Sequence, residues 1–331
     1  MSQSLALSTV LGVALALSPP AAPYQQASSP ASTEELVYAR AADGIVSGGA
    51  LFRPRDGSSA THVAAIWIHG SGVNFYYPSY VKIARELAKR GLPTIVGNTR
   101  MHDLGNIEAF REPTNARGGS YWGITTAQVS DVAAWIQLAR DRGYDRVVLV
   151  GHSAGATAVQ IYMARTQDPH VEGLVLASGR FRPASGPPVD STRLARAKEL
   201  VAAGRGEEPV PPTAVGGRPS PTSAATLVDL AGMGVELSDF YGVTTPDPPI
   251  ARVHVPILAW FGTSDDVGTS ADLELLEKTL KNLAAGPSRV STAMIPGASH
   301  MYDGHEAAIA ETLANWVREI ARAPGTARGQ R

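Results

Sequence analysis

The chain has 331 residues, 44% of them hydrophobic, enough to bury the core of one large domain carrying an insertion. Its 29 basic residues balance 30 acidic ones, so it lacks the basic excess that a nucleic-acid surface requires. It has no cysteine, which removes disulfides, thiolate nucleophiles and cysteine-held metals from consideration.

Leu5 to Leu17 is an apolar run closed by Pro19-Pro20. Its length suits the hydrophobic region of an export signal and is too short for a membrane-spanning helix, so the expectation is a secreted or periplasmic protein with no integral span. Ala21, Ala22, Ala27 and Ala31 offer small residues to a signal peptidase, although Pro23 argues against a cut after Ala22. Met1 to Ser4 carries no Lys or Arg, which fits instead a cytoplasmic chain with an apolar tail. Gln25 to Thr33 has little to bury and reads as a linker, making residues 1–33 a signal segment plus linker.

Glu35 to Arg53 gives two strand-like runs around Asp43-Gly44, an expected antiparallel pair. His62 to Ile68 is continuously apolar, as a strand buried on both faces must be, and it ends at His69-Gly70-Ser71-Gly72. Pro78 opens a helix with Val81, Ala84, Leu87 and Ala88 on one face and Gly91 after it; Leu92 to Val96 is the next strand. Thr125 to Arg142 is helical, with Thr125 and Gln128 in a capping-box pattern and Val129, Val132, Ile136 and Ala139 as its inner stripe. Arg146 to Val150 is a buried strand, Ala154 to Arg165 a helix, and Val171 to Ala177 another strand.

From Arg180 to about Ile250 the pattern becomes proline-rich, with helical stretches only near Thr192–Ala203 and Ala224–Gly232, and residues 180–250 read as a cap inserted into the sheet. Alternation resumes with strands at Ile257–Phe261 and Val290–Ile295 and helices at Ala271–Leu283 and Ala307–Ala323; the polar tail, residues 325–331, reads as disordered. The α/β core thus spans 34–179 and 251–324. Strands alternating with helices imply a mostly parallel, doubly wound sheet, whose ligand sites lie at the carboxyl ends of its strands.

The unusual segments all sit at such ends. Gly151-His152-Ser153-Ala154-Gly155 lies between a strand and a helix, where G-x-S-x-G makes a sharp turn that exposes a serine hydroxyl. That hydroxyl needs a base, and His300, in the loop Pro296–Met301 between the last strand and last helix, is best placed; the other seven histidines fit worse. The imidazole needs a carboxylate to orient it. Asp265, three residues beyond Gly262 at the end of Ile257–Phe261, is favoured over Asp266, which would then cap the helix near Thr269–Ala271. The oxyanion needs two N–H donors, expected from Ala154 and from Ser71, with Gly72 the next choice.

The set HGSG, GHSAG, GTSDD and GASH, in this order, resembles the α/β-hydrolase superfamily of serine esterases and lipases over about Ile66 to Trp316. The stretch Asn98 to Gly105 with Gly118 to Trp122 is also similar to a subgroup of poorly characterised bacterial and fungal hydrolases. The resemblance implies the α/β-hydrolase fold with a cap, a Ser-His-Asp triad, an acyl-enzyme, an ester-like small-molecule substrate, and neither cofactor nor metal. The same parts serve lactonases, thioesterases, amidases and acyltransferases, and a non-catalytic binding protein on this fold is the reading from another class. Arg100 and His102 are candidates to bind a polar or anionic group, Trp122 and Tyr121 to form an apolar wall, and Asn74, Phe75, Tyr76 and Tyr77 to line the substrate pocket.

Overall fold

The computed structural model describes residues 32–55, 62–108, 116–183, 189–211 and 222–322. The export run Leu5–Leu17, the linker as far as Ala31 and the tail 325–331 lie outside the described residues. Within these, no helix is long and apolar enough to cross a membrane.

Ser32 and Thr33 belong not to a linker but to the first strand, β1 (Ser32–Arg40), where they pair with Pro54 and Arg53 of β2 (Val46–Pro54). The antiparallel β1–β2 ribbon joins β4 (Thr94–Gly97), itself parallel to β3 (Val63–Ile68). A short hairpin, β5 (Asn106–Glu108) with β6 (Ala116–Gly118), stands outside the main sheet. The sheet continues through β7 (Arg146–His152), β8 (Val171–Ala177), β9 (Ile257–Ser264) and β10 (Val290–Ser299), in the order β1-β2-β4-β3-β7-β8-β9-β10. From β4 to β10 every pairing is parallel, so the carboxyl ends of these strands share one edge.

Helices cover both faces. α1 (Pro78–Lys89) and α8 (Glu306–Arg322) pack on one side; α2 (Gln128–Asp141), α3 (Ala154–Thr166) and α7 (Ser270–Lys281) pack on the other. Alternation within one strand divides the two cores: Ile66 and Ile68 face α2 and α3, while Ala65 and Trp67 face α1. This is why the run HVAAIWI carries no polar residue between its ends. Trp135 of α2 needs space that only glycines leave, since a Cβ at Gly97 would stand 2.4 Å, and one at Gly49 2.6 Å, from its ring.

The capping box expected at Thr125 and Gln128 does not form. Residues 124–130 begin as tight turns, α2 starts at Gln128, and the Gln128 side chain accepts from the Thr99 hydroxyl at 2.9 Å instead. A buried tertiary partner outcompetes the local cap. Between β8 and β9 the chain forms α4 (Ser191–Ala202), α5 (Ala224–Gly232) and α6 (Val235–Ser238). Val189, Ala197, Leu200, Val210, Ala224 and Leu227 give this segment a small core of its own.

Candidate active site

Ser153 sits between β7 and α3 at φ 54°, ψ −118°, a strained conformation for a residue with a side chain. Its neighbours explain the glycines: a Cβ on Gly151 would come 2.3 Å from the Gly155 carbonyl oxygen, and one on Gly155 would come 2.5 Å from those of Ile68 and His69. The Ser153 amide is anchored on the Ala177 carbonyl at 2.8 Å. Ala154 is the first residue of α3, so its N–H has no partner within the helix and stands at the positive end of the helix dipole.

The loop after β3 faces the same turn, with a Cβ on Gly70 only 3.1 Å from the Ser153 side chain. Its amides are unequally committed. Gly70 N–H donates to the Tyr80 hydroxyl at 3.2 Å and Gly72 N–H to the Ser120 hydroxyl at 3.0 Å. The amide of Ser71 is left without a hydrogen-bond partner among the described residues.

Asp265 and His300 meet because of a distortion in β10. Ile295 pairs with Gly262 and Ser299 with Ser264, so β10 spends two extra residues there, and the bulge presses the Ala298 carbonyl to 2.0 Å from where a Gly262 Cβ would lie. Asp265 and His300 therefore leave adjacent strands directly after a paired position, and His300 Nδ1 lies 3.0 Å from Asp265 Oδ1. The buried carboxylate also accepts from the Ser178 hydroxyl at 2.5 Å and the Val267 amide at 2.9 Å. Burial alone would raise its pKa, but the bonds from His300, Ser178 and Val267 hold it below its ordinary value. Ser178, at φ 51°, is in turn bonded to the Tyr302 hydroxyl at 2.6 Å, which accepts from Trp260 Nε1 at 3.1 Å. Sequence reasoning missed Ser178 and Tyr302; their only signals were a serine at the end of a strand and a tyrosine two places past His300.

His152 is the other omission. Its Nε2–H donates to the His300 carbonyl at 2.8 Å and its Nδ1 accepts from the Tyr80 hydroxyl at 2.6 Å. Burial lowers its pKa to about 3, so the ring is neutral. Gly70, Tyr80, His152 and His300 thus form one chain of hydrogen bonds that ties the loop after β3 to the loop after β10. No hydrogen bond joins the Ser153 hydroxyl to the His300 ring in this structure; the two belong to segments held together through the residue next to Ser153.

The sequence profile described as the alpha/beta hydrolase family matches residues 65–313, three quarters of the chain. The chain belongs to that family. Solved structures similar to this α/β-hydrolase include the esterase Est1E from Butyrivibrio proteoclasticus with ferulic acid bound, at 17% identity and TM-score 0.59, covering 86% of this chain and 99% of that one. A thermostable carboxyl esterase from Bacillus coagulans in complex with glycerol matches at 17% identity and TM-score 0.59, over 87% and 98% of the two chains. An open-form lipase matches at 16% identity and TM-score 0.59, over 88% and 100%. No curated protein sequence matches the chain.

Several residues expected at the substrate of this hydrolase have other tasks. Arg100 is 6% exposed, and its guanidinium is bonded to both oxygens of Asp131 and to Asp43, at distances down to 2.7 Å. Burial would lower its pKa, but the two carboxylates raise it, so this is a structural ion-pair cluster and not a substrate contact. His102 lies 2.8 Å from Asp103, which also accepts from Asn74 Nδ2 at 2.7 Å. The Phe75 amide donates to Asn98 at 2.8 Å. Trp122 Nε1 donates to the Glu207 carbonyl at 2.9 Å, and the Tyr121 carbonyl accepts from Ser223 at 2.8 Å, so this pair holds the 180–250 segment in place. None of Gly72, Asn74, Phe75, Arg100, His102 and Trp122 is among the residues lining the cavity that contains Ser153.

Asp266 does not cap α7. Thr269, directly before the helix, does so in a capping box with Asp272, and Asp266, three residues earlier, stays exposed. Among the described residues, Asp265, Asp266 and His300 bring potential metal-ligand atoms within 4.8 Å of one another. Asp265 already accepts three hydrogen bonds there, from His300 and Val267 on Oδ1 and from Ser178 on Oδ2.

Proposed function

We propose that this α/β-hydrolase is a serine hydrolase of carboxylic esters, lactones and thioesters being chemically equivalent substrates. The observation that carries the reading is the Asp265–His300 pair, at 3.0 Å, fastened to His152, the residue beside a serine in a strained strand-to-helix turn. Similarity of fold to esterases and a lipase supports it.

In the proposed cycle His300 Nε2 takes the proton of Ser153 as the hydroxyl oxygen attacks the ester carbon. The carbonyl electrons move onto oxygen, which the amides of Ala154 and Ser71 receive. Collapse breaks the bond to the alcohol, which leaves with the proton from His300, and the acyl group stays on Ser153. Water then gives a proton to His300 and attacks the acyl carbon. The second collapse releases the acid and returns the proton to Ser153. Asp265 fixes His300 with its proton on Nδ1 and balances the charge of the imidazolium. On this reading the 180–250 segment is the cap that selects substrate, and Leu5–Leu17 directs export.

The test is reaction of the full chain with a fluorophosphonate, followed by peptide mass mapping, alongside turnover of p-nitrophenyl acetate. Labelling confined to Ser153, lost together with turnover in Ser153→Ala and in His300→Ala, is the expected result. A folded protein that neither labels nor turns over the ester would sink the proposal and leave a binding protein on a hydrolase fold.

A further inference from the structure

Among the described residues, Ser153, Ser178 and Tyr302 are non-glycine residues with positive φ, and the last two stand at 51° and 62°. Strain of this kind persists only where the surroundings enforce it, and a bulky tyrosine tolerates it least. Glycine would adopt either conformation freely. Ser178 and Tyr302 bring side chains there instead, and the two hydroxyls lie 2.6 Å apart behind Asp265.

Their hydrogen bonds have a fixed direction. Trp260 Nε1 can only donate, and it bonds the Tyr302 hydroxyl at 3.1 Å. An ionised carboxylate can only accept, so the Ser178 proton points at Asp265 Oδ2, 2.5 Å away. Ser178 then accepts from Tyr302, and Tyr302 from Trp260. Every bond runs towards the carboxylate, and the Ser178 amide, bonded to the Trp260 carbonyl at 2.9 Å, holds the two ends together. The reverse order fails. A proton on Oδ2 would turn the Ser178 hydroxyl towards Tyr302, whose own proton would then face a Trp260 nitrogen that accepts nothing. Ser178, Trp260 and Tyr302 are all fully buried, so that proton would have no acceptor among the described residues.

We propose that Ser178 and Tyr302 are positioning residues, a one-way relay from Trp260 that keeps Oδ2 of Asp265 unprotonated and leaves Oδ1 to orient His300. The inference rests on the reading of Ser153, His300 and Asp265 as a triad. The other ionisable side chains about the carboxylate are His300, Tyr302, His152 and Asp266. None replaces the relay: burial keeps Tyr302 and His152 neutral, Asp266 is exposed, and His300 is occupied on Oδ1.

The experiment follows p-nitrophenyl acetate turnover from about pH 5 to 8 in the full chain, in Ser178→Gly and in Tyr302→Phe. Glycine keeps the backbone conformation and deletes the hydroxyl, so Ser178→Gly separates the relay from the fold. Without the Ser178 donor the Asp265–His300 pair takes up a proton more readily, whichever residue receives it. The acid limb of kcat/KM should move up by about half a unit to one unit in Ser178→Gly, and by less in Tyr302→Phe, where Ser178 can still donate. In Ser178→Gly kcat should fall at least about tenfold with KM within about twofold. An unmoved acid limb in a folded Ser178→Gly overturns the inference whatever happens to kcat, since loosened packing alone can slow an enzyme, and continued turnover leaves the hydrolase reading standing. Should Tyr302→Phe fail to fold, Ser178→Gly decides alone. If the unaltered chain cleaves no ester, the hydrolase reading falls, and NMR titration of the His300 ring decides the relay: a higher pKa in Ser178→Gly supports it, and equal values end it.

Discussion

The Tyr80 hydroxyl donates to His152 Nδ1 at 2.6 Å while accepting the Gly70 amide at 3.2 Å, so one buried phenol serves both the loop proposed to hold the oxyanion and the loop that carries His300. Burial pushes its pKa up and keeps the proton on oxygen. Tyr80→Phe removes both contacts and leaves a buried imidazole nitrogen without a donor. The expected cost is about 1–3 kcal/mol of stability. A fall in kcat larger than any change in KM is expected alongside, because Tyr80 positions groups and does not bind substrate. Denaturant melts and steady-state kinetics on one ester check the two effects.

Stability should fall as pH drops through the range of free histidine. Burial lowers the pKa of His69 to about 4 and of His152 to about 3, each from 6.5. Between those values and 6.5 the unfolded chain binds protons that the folded chain refuses, so unfolding free energy rises with pH in that window. Each ring contributes up to about 1.4 kcal/mol per pH unit. Asp265, whose folded pKa is depressed, adds a loss only at lower pH, towards and below 3.8. Urea titrations at pH 7, 6 and 5 measure the slope, and His69→Gln should reduce it.

The two adjacent carboxylates separate cleanly by mutation. Asp265→Asn leaves the shape of the site but cannot enforce the Nδ1–H tautomer, and a loss of roughly 10³–10⁴ in kcat is expected. Asp266→Asn, at an exposed position, should change kcat by no more than about twofold. Parallel rates on p-nitrophenyl acetate decide it.

Arg100 supplies a stability prediction. The Asp131 side chain is 1% exposed and meets Arg100 at two oxygens. Asp131→Ala leaves the buried guanidinium with only the partly exposed Asp43 to balance it and should cost about 3–5 kcal/mol. KM in the variant that remains folded should stay near the wild-type value. A large rise in KM without lost stability would restore Arg100 to the substrate.

Gly155→Ala tests the backbone contact beneath Ser153. The added methyl would fall 2.5 Å from two carbonyl oxygens, on β3 and just after it, and backbone cannot swing aside as a flexible side chain can. A loss of about 1–3 kcal/mol or more is expected, visible as a lowered Tm, together with loss of Ser153 labelling.

The elements easiest to read in the sequence were those whose environment is uniform along their length. After their first residues HVAAIWI and RVVLV are apolar because both faces of the central sheet are covered. Ser153 was legible because a strand, two glycines and a helix dictate its turn locally, and His300 and Asp265 because each follows a recognisable strand. Ser178, Tyr302, Tyr80 and His152 were not, because their importance lies in partners 72 to 148 positions away. Arg100 misled for the same reason: its partner Asp131 sits on the helical turn that also upset the Thr125–Gln128 cap. The proline-rich segment 180–250 kept its helices readable and its docking on Tyr121–Thr126 hidden.

Strands β8 and β9 are immediate neighbours, with Leu174 to Ala177 in register with Ile257 to Trp260. Some eighty residues leave the sheet between them and return to the adjacent position, so the ladder fixes both ends of the excursion whatever lies between. The architecture therefore separates two evolutionary problems. The proposed reacting groups are set by strand ends, whereas the intervening stretch is free to be exchanged, lengthened or trimmed without rethreading a single strand.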